Sequence, residues 1–217
     1  MPRWDADAEG RLLKAAMELF VDRGYDQVTV TEIAERAGLK KRSFFRYFAD
    51  KREVLFGGAP AFEQTVVTGV LEAPEAMQPL DAVVASLAAA GAGLTSWGEP
   101  VRLRQQVIAS SPELRERELI KLVSLTTQVA DALIRRGVEE LTASLTAQAG
   151  MAAFTTAFER WAKSADAQNF HELIHDSLAR LHAAIGRRDQ WPTGDRAKHP
   201  PAHRQPPHVG DSPHQRR

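Results

Sequence analysis

Cysteine is absent from this 217-residue chain, which removes disulfides and thiolate metal sites from consideration. No run of 18 consecutive apolar residues occurs, so the sequence predicts no membrane-spanning helix. The N-terminus is polar and acidic and lacks the apolar stretch of a signal peptide. Together these absences lead to the expectation of a soluble, cytoplasmic protein. A glycine-rich phosphate loop, a nucleophile motif and a paired-carboxylate signature are missing as well. The sequence therefore predicts no catalytic residue, no cofactor and no enzyme.

Net charge is also lacking, with 28 basic and 28 acidic side chains, but the balance is uneven along the chain. Residues 1–56 carry 11 basic and 10 acidic groups, residues 57–186 carry 10 and 15, and residues 187–217 carry 7 and 3. An acidic body with basic ends points to a localised anion-binding surface. The densest part is residues 36–52, where Arg36, Lys40, Lys41, Arg42, Arg46, Lys51 and Arg52 face one acid, Asp50. Phe44, Phe45, Tyr47 and Phe48 interleave them.

Local signals place this cluster on helices. Residues 5–24 read as a helix capped by Asp5 or Asp7, with Leu12, Ala16, Leu19 and Phe20 on one face and Gly24 as the C-terminal stop. Thr29 and Glu32 have capping-box spacing, and the helix they start buries Ile33, Ala34 and Ala37 before Gly38. A third helix covers residues 41–48, where Phe44 and Phe48 share a face and Lys41, Arg42, Phe45 and Arg46 stay outside. Two short helices joined by a glycine turn form a helix-turn-helix. A basic cluster at the start of its second helix is where base-reading side chains sit in DNA-binding versions.

The run GYDQVTVTEIAERAGLKKRSFFRYFADKREVLF, residues 24–56, resembles the N-terminal domain of TetR-family transcriptional regulators. Thr29, Ile33, Ala34, Ala37, Gly38, Leu39, Tyr47, Phe48 and Lys51 carry the likeness. The resemblance implies that Thr29 and Thr31 begin the helix nearest the phosphate backbone. Lys40, Lys41, Arg42 and Ser43 would then contact bases and phosphates, and Tyr47 and Lys51 would contact phosphates. Phe45 stands where relatives usually carry Tyr, so one phosphate hydrogen bond is expected to be missing.

Beyond residue 56 the pattern is helical throughout, with helices expected at about 51–73, 80–95, 100–110, 113–136, 139–163 and 167–186. Gly57, Gly58 and Pro60 should bend the first of these. The fold class is all-α, divided into a helix-turn-helix unit (1–56), a helical effector-binding and dimerisation body (57–186) and a basic Pro- and His-rich tail (187–217) expected to be disordered. Residues 102–122 resemble the subtype associated with mycofactocin genes, which implies acyl-CoA-type effectors.

The stretch ASLAAAGAGL, residues 85–94, signals either very close helix packing or the border of a cavity. Trp97, Leu103, Val107, Leu125, Phe154 and Phe158 are candidates to line an apolar pocket. Arg102 and Arg104 could hold an acidic group on the effector, although pairing with Glu99 or Glu113 is the simpler reading. Apolar positions on the last two helices, from Leu141 and Leu145 to Leu181 and Ile185, suggest a homodimer interface. His171 and His175 are four apart, but no third ligand stands nearby, so no metal is expected. The function expected is a repressor released from a pseudo-palindromic duplex operator by a small, largely apolar effector. The alternative is a helical small-molecule binder that has lost DNA recognition.

Overall fold

The structure is a computed structural model and describes residues 8–164 and 168–185. The expected cap at Asp5 or Asp7 and the expected tail at 187–217 lie outside these residues. Every regular element among them is helical. The order is α1 (Ala8–Arg23), α2 (Val30–Arg36), α3 (Lys41–Tyr47), α4 (Ala59–Glu72), α5 (Pro79–Thr95), α6 (Glu99–Ser110), α7 (Pro112–Arg135), α8 (Glu140–Lys163) and α9 (Phe170–Ile185).

The capping box at α2 forms as the spacing requires. The Thr29 amide donates to Glu32 Oε2 at 2.8 Å, and the Glu32 amide donates to Thr29 Oγ1 at 3.3 Å. Gly38 takes φ 70°, a conformation open to glycine at little cost, and so turns the chain from α2 into α3. Leu12, Phe20, Ile33 and Phe44 then meet in one core. Phe44 and Phe48 pack ring against ring at a tilt, 5.4 Å between ring centres.

This core is not closed by residues 1–56 alone. Val107 and Ile108 of α6 and Leu114 of α7 are buried within it. Val107 was expected to line the effector pocket; it packs under the helix-turn-helix instead. Polar ties follow the same seam. Arg117 Nε donates to Glu53 Oε1 at 2.6 Å, Lys121 pairs with Glu53 at 3.3 Å, and Arg52 pairs with Glu113 at 3.4 Å.

The single helix expected over 51–73 is two elements. A 3-10 turn over Arg52–Phe56 ends at Gly57, and α4 begins after Gly58 with Pro60 in its first turn. Proline suits that position because its missing N–H has no helical partner there. Arg52–Glu72 is apolar and long enough to span a membrane by composition. It is broken at the glycines, pairs Glu53 with two cations, and packs α4 on α5 and α7. At the far end Arg136 closes α4 by donating to the carbonyls of Val70, Ala73 and Pro74.

In the body, the Ala- and Gly-rich α5 is the most enclosed helix, and close packing explains its composition. A Cβ on Gly91 would stand 2.1 Å from the Phe170 ring, and one on Gly150 of α8 would stand 2.4 Å from Val83. Leu125, Phe154 and Phe158 are buried in this core. Phe62, Phe154, Phe158 and Phe170 form a chain of ring contacts through it. The six residues expected to line one cavity are thus dispersed: three fill the core, Val107 joins the other core, Leu103 is half-buried, and Trp97 is 73% exposed on the α5–α6 turn.

Candidate functional site

The seven basic residues of the 36–52 cluster divide into two groups. Arg36 pairs with Glu18 at 2.9 Å, and Arg52 pairs with Asp50 at 2.7 Å. Arg46 donates to the Tyr47 hydroxyl at 2.7 Å and lies over its ring. Lys40, Lys41 and Arg42, at the start of α3, are exposed, and their side chains make no hydrogen bond or ion pair with the described residues. The cluster therefore spends part of its charge on holding the fold and presents a compact triplet outward. Ser43 and Tyr47 are half-buried beside it, and Phe45 is half-exposed with its edge on Phe44.

Two expected phosphate-side residues serve the fold. Lys51 does not open a long helix; its ammonium donates to the carbonyls of Tyr25 at 2.8 Å and Val28 at 2.9 Å and lies 3.9 Å from the Tyr25 ring centre. Burial pulls this ammonium below the ordinary lysine pKa and drives the Tyr25 phenol well above its own. Thr29 is engaged in the cap, its hydroxyl donating to Glu32 at 2.7 Å. That bond, with Arg23 behind it, holds the Glu32 carboxyl down at about 2. Thr31 is exposed on the first turn of α2.

A cleft of about 330 Å³ opens at the α5–α6 end of the body, lined by Thr95, Ser96, Arg102, Trp161, Asn169 and Phe170, among others. The Arg102 guanidinium lies over the Trp161 ring at 4.4 Å. Its Nε is buried without a hydrogen-bond partner. Arg104, two residues on, points the other way. It donates from Nε to the Leu55 carbonyl at 2.5 Å and approaches Glu118 at 4.0 Å, and burial pushes its pKa down. Neither arginine takes the expected partner, Glu99 or Glu113.

Trp161 and Asn169 were not expected here. The sequence signal available was the i, i+4, i+7 register of Phe154, Phe158 and Trp161, but an apolar stripe does not say which neighbour it faces. Those inward rings leave only Leu141, Leu145, Ala152 and Ile185 as clearly exposed apolar residues of the expected dimer stripe. His171 and His175 stack at 5.3 Å. No group of three or more metal-ligating side chains occurs among the described residues.

A helix-turn-helix carrying an unpaired basic triplet, set on a helical body with a cleft, defines a class of bacterial transcriptional regulator. Residues 12–56 match the bacterial regulatory proteins of the tetR family, and residues 77–186 match the MftR C-terminal domain. The chain belongs to the TetR family. It is 30% identical over 122 residues to the mycofactocin biosynthesis transcriptional regulator MftR of Mycobacterium tuberculosis, a match covering 56% of this chain and 61% of that protein. It spans about a third of two further curated helix-turn-helix regulators, 32% and 31% of their lengths.

The fold is shared with SmeT in complex with triclosan (TM-score 0.60, 18% identity, 82% of this chain and 90% of that one). It is shared too with Thermus thermophilus FadR in complex with lauroyl-CoA (TM-score 0.50, 24% identity, 80% and 92%).

Proposed function

We propose that the chain is a ligand-responsive DNA-binding regulator that acts as a homodimer, in the simplest form a cytoplasmic repressor released from a pseudo-palindromic operator. One observation carries the reading. Lys40, Lys41 and Arg42 stand exposed and unpaired at the start of the second helix-turn-helix helix, while Arg36 and Arg52 are paired within the protein. In such units the first turn of that helix reaches base edges in the major groove, and a dimer reads two half-sites one helical turn apart. The exposed leucines of α8, Leu141 and Leu145, support a surface for a second copy.

The effector is a small, largely apolar molecule. SmeT with triclosan and FadR with lauroyl-CoA are precedents on the same fold, so acyl-CoA-like compounds belong among the first tested. The coupling element is α6. Arg102 borders the cleft at one end of it, and Arg104, Val107 and Ile108 hold the helix-turn-helix from the rest. A ligand that displaces α6 must shift the DNA-reading unit with it, provided it binds the two states with different affinity.

The test is fluorescence anisotropy on DNA fragments flanking the gene, across a salt series. Sequence-selective binding that weakens steeply with salt is expected. Binding that is salt-insensitive or indifferent to sequence would favour the rival, a helical small-molecule binder without operator recognition, toward which only Phe45 leans.

A further inference from the structure

We propose that the cleft beside Arg102 binds a compact carboxylic acid, its carboxylate held by the Arg102 guanidinium and its apolar body laid against Trp161 and Phe170. The proposal deepens the effector reading above, on which it rests only for its consequence at the DNA.

The first observation is a missing partner. Arg104 has the Leu55 carbonyl, Arg117 has Glu53, Arg136 has three carbonyls and Arg160 has Asp176. The Arg102 side chain makes no hydrogen bond or ion pair with the described residues, and its Nε–H is both buried and orphaned. Glu99 lies one turn back on α6 and does not pair with it. A guanidinium offers five N–H donors and no acceptor, and buried donors in folded proteins are nearly always satisfied. The terminal Nη atoms have no partner among the described residues either and, unlike Nε, are not closed off, so an acceptor that arrives through the cleft meets them first.

The second observation is orientation. Trp161 covers one face of the guanidinium, which leaves the in-plane fork of N–H groups for pairing. That fork matches a carboxylate presented edge-on, in two parallel bonds. The neighbouring polar groups sharpen the choice. Asn169 Oδ1 accepts from the His171 amide at 2.9 Å as the cap of α9, so its side-chain NH₂ remains as a donor at the cleft. The Thr95 and Ser96 hydroxyls donate back to the carbonyls of Ala92 and Gly93, so they offer lone pairs and cannot pair a second anion.

The third observation is size and charge. About 330 Å³ is room for an aryl or medium-chain acid. Among the described residues one cation lines the cleft, and Arg160, in the adjoining opening that shares Asn169, is paired with Asp176 at 2.6 Å. A single negative charge is what the site balances.

The test uses full-length ¹⁵N-labelled protein, with the Arg102 Nε–H resonance assigned by its loss in Arg102→Lys. Benzoate, phenylacetate and octanoate are titrated into the millimolar range, each against its neutral amide. At least one acid should shift that resonance and bind about tenfold or more tighter than its amide, as a charge-assisted bidentate pair requires. Asn169→Asp keeps a good helix cap and puts a repelling charge in the cleft. It should abolish acid binding and spare the amide, even if Arg102→Gln does not fold. The proposal is overturned if no acid perturbs Arg102, if acid and amide bind alike, or if Asn169→Asp leaves acid binding intact. Lauroyl-CoA that outcompetes every acid at Arg102 would also overturn it. An acid that binds at Arg102 without releasing DNA upholds the site and counts against the regulatory reading alone.

Discussion

Arg104 Nε donates to the Leu55 carbonyl at 2.5 Å, joining residues 49 positions apart. The bond ties the middle of α6 to the turn that ends the helix-turn-helix unit. Because Arg102 of the same helix borders the cleft, two residues of one helix touch the proposed input and the proposed output.

Lys40→Ala, Lys41→Ala and Arg42→Ala should each weaken operator binding and reduce the slope of log affinity against log salt by about one, since each removes a cation whose phosphate contact releases a counterion. A substitution at a base-reading position should also relax sequence preference, costing about 1–3 kcal/mol. Arg36→Ala should leave the slope unchanged, because its charge is spent on Glu18 at 2.9 Å. Salt-series anisotropy on all four variants checks the division; equal slopes throughout would contradict it.

Lys51→Met should lower stability by about 1–2 kcal/mol, since it strips a cationic donor from the Tyr25 and Val28 carbonyls. Any loss of DNA affinity should follow that destabilisation and recover with a stabilising osmolyte. The losses in Lys41→Ala should not recover. Urea unfolding with parallel anisotropy separates the two cases.

Glu53 reports on the seam between the two cores. Burial alone would raise its pKa, but Arg117 and Lys121 outweigh it and hold it below the ordinary 4.5. Its contribution is therefore fully present above about 4.5 and is lost as pH falls through the lower folded value. Glu53→Gln should be less stable than the parent at neutral pH, and the gap should close on acidification. Denaturation midpoints across that range give the result; a constant gap would mean the ion pairs contribute nothing.

Leu141 and Leu145 are 66% and 58% exposed on α8. Replacing both with Glu should shift a dimer toward monomer while leaving helical content unchanged, because neither side chain supports the protomer core. Sedimentation at several concentrations tests this, and an unchanged association constant would place the dimer contact elsewhere.

Much of the helix-turn-helix is legible in the sequence because its rules are local. The Thr29–Glu32 box, the Gly38 turn and the Phe44–Phe48 pair depend on neighbours three to five positions away. The division of the basic cluster is not legible. Arg36 and Lys41 look alike in sequence, and only the crossing of α1 and α2 brings Glu18 to Arg36. The body shows the same limit. Small residues over 85–94 allow a cavity or close packing, and only the arrival of Phe170 over Gly91 decides between them. Val107 reads as a pocket residue by type and belongs to the other core by tertiary placement.

The core beneath the DNA-reading helices borrows Val107, Ile108 and Leu114 from beyond residue 56. Modular exchange between relatives is constrained accordingly. A chimera joined at residue 56 would set the helix-turn-helix on foreign side chains at three buried positions and would lose the Arg104 tie unless the recipient carried an equivalent. The working cut for transplanting operator specificity lies on the solvent side of α3, at the few residues that no core uses. Everything behind them is inherited together with the body.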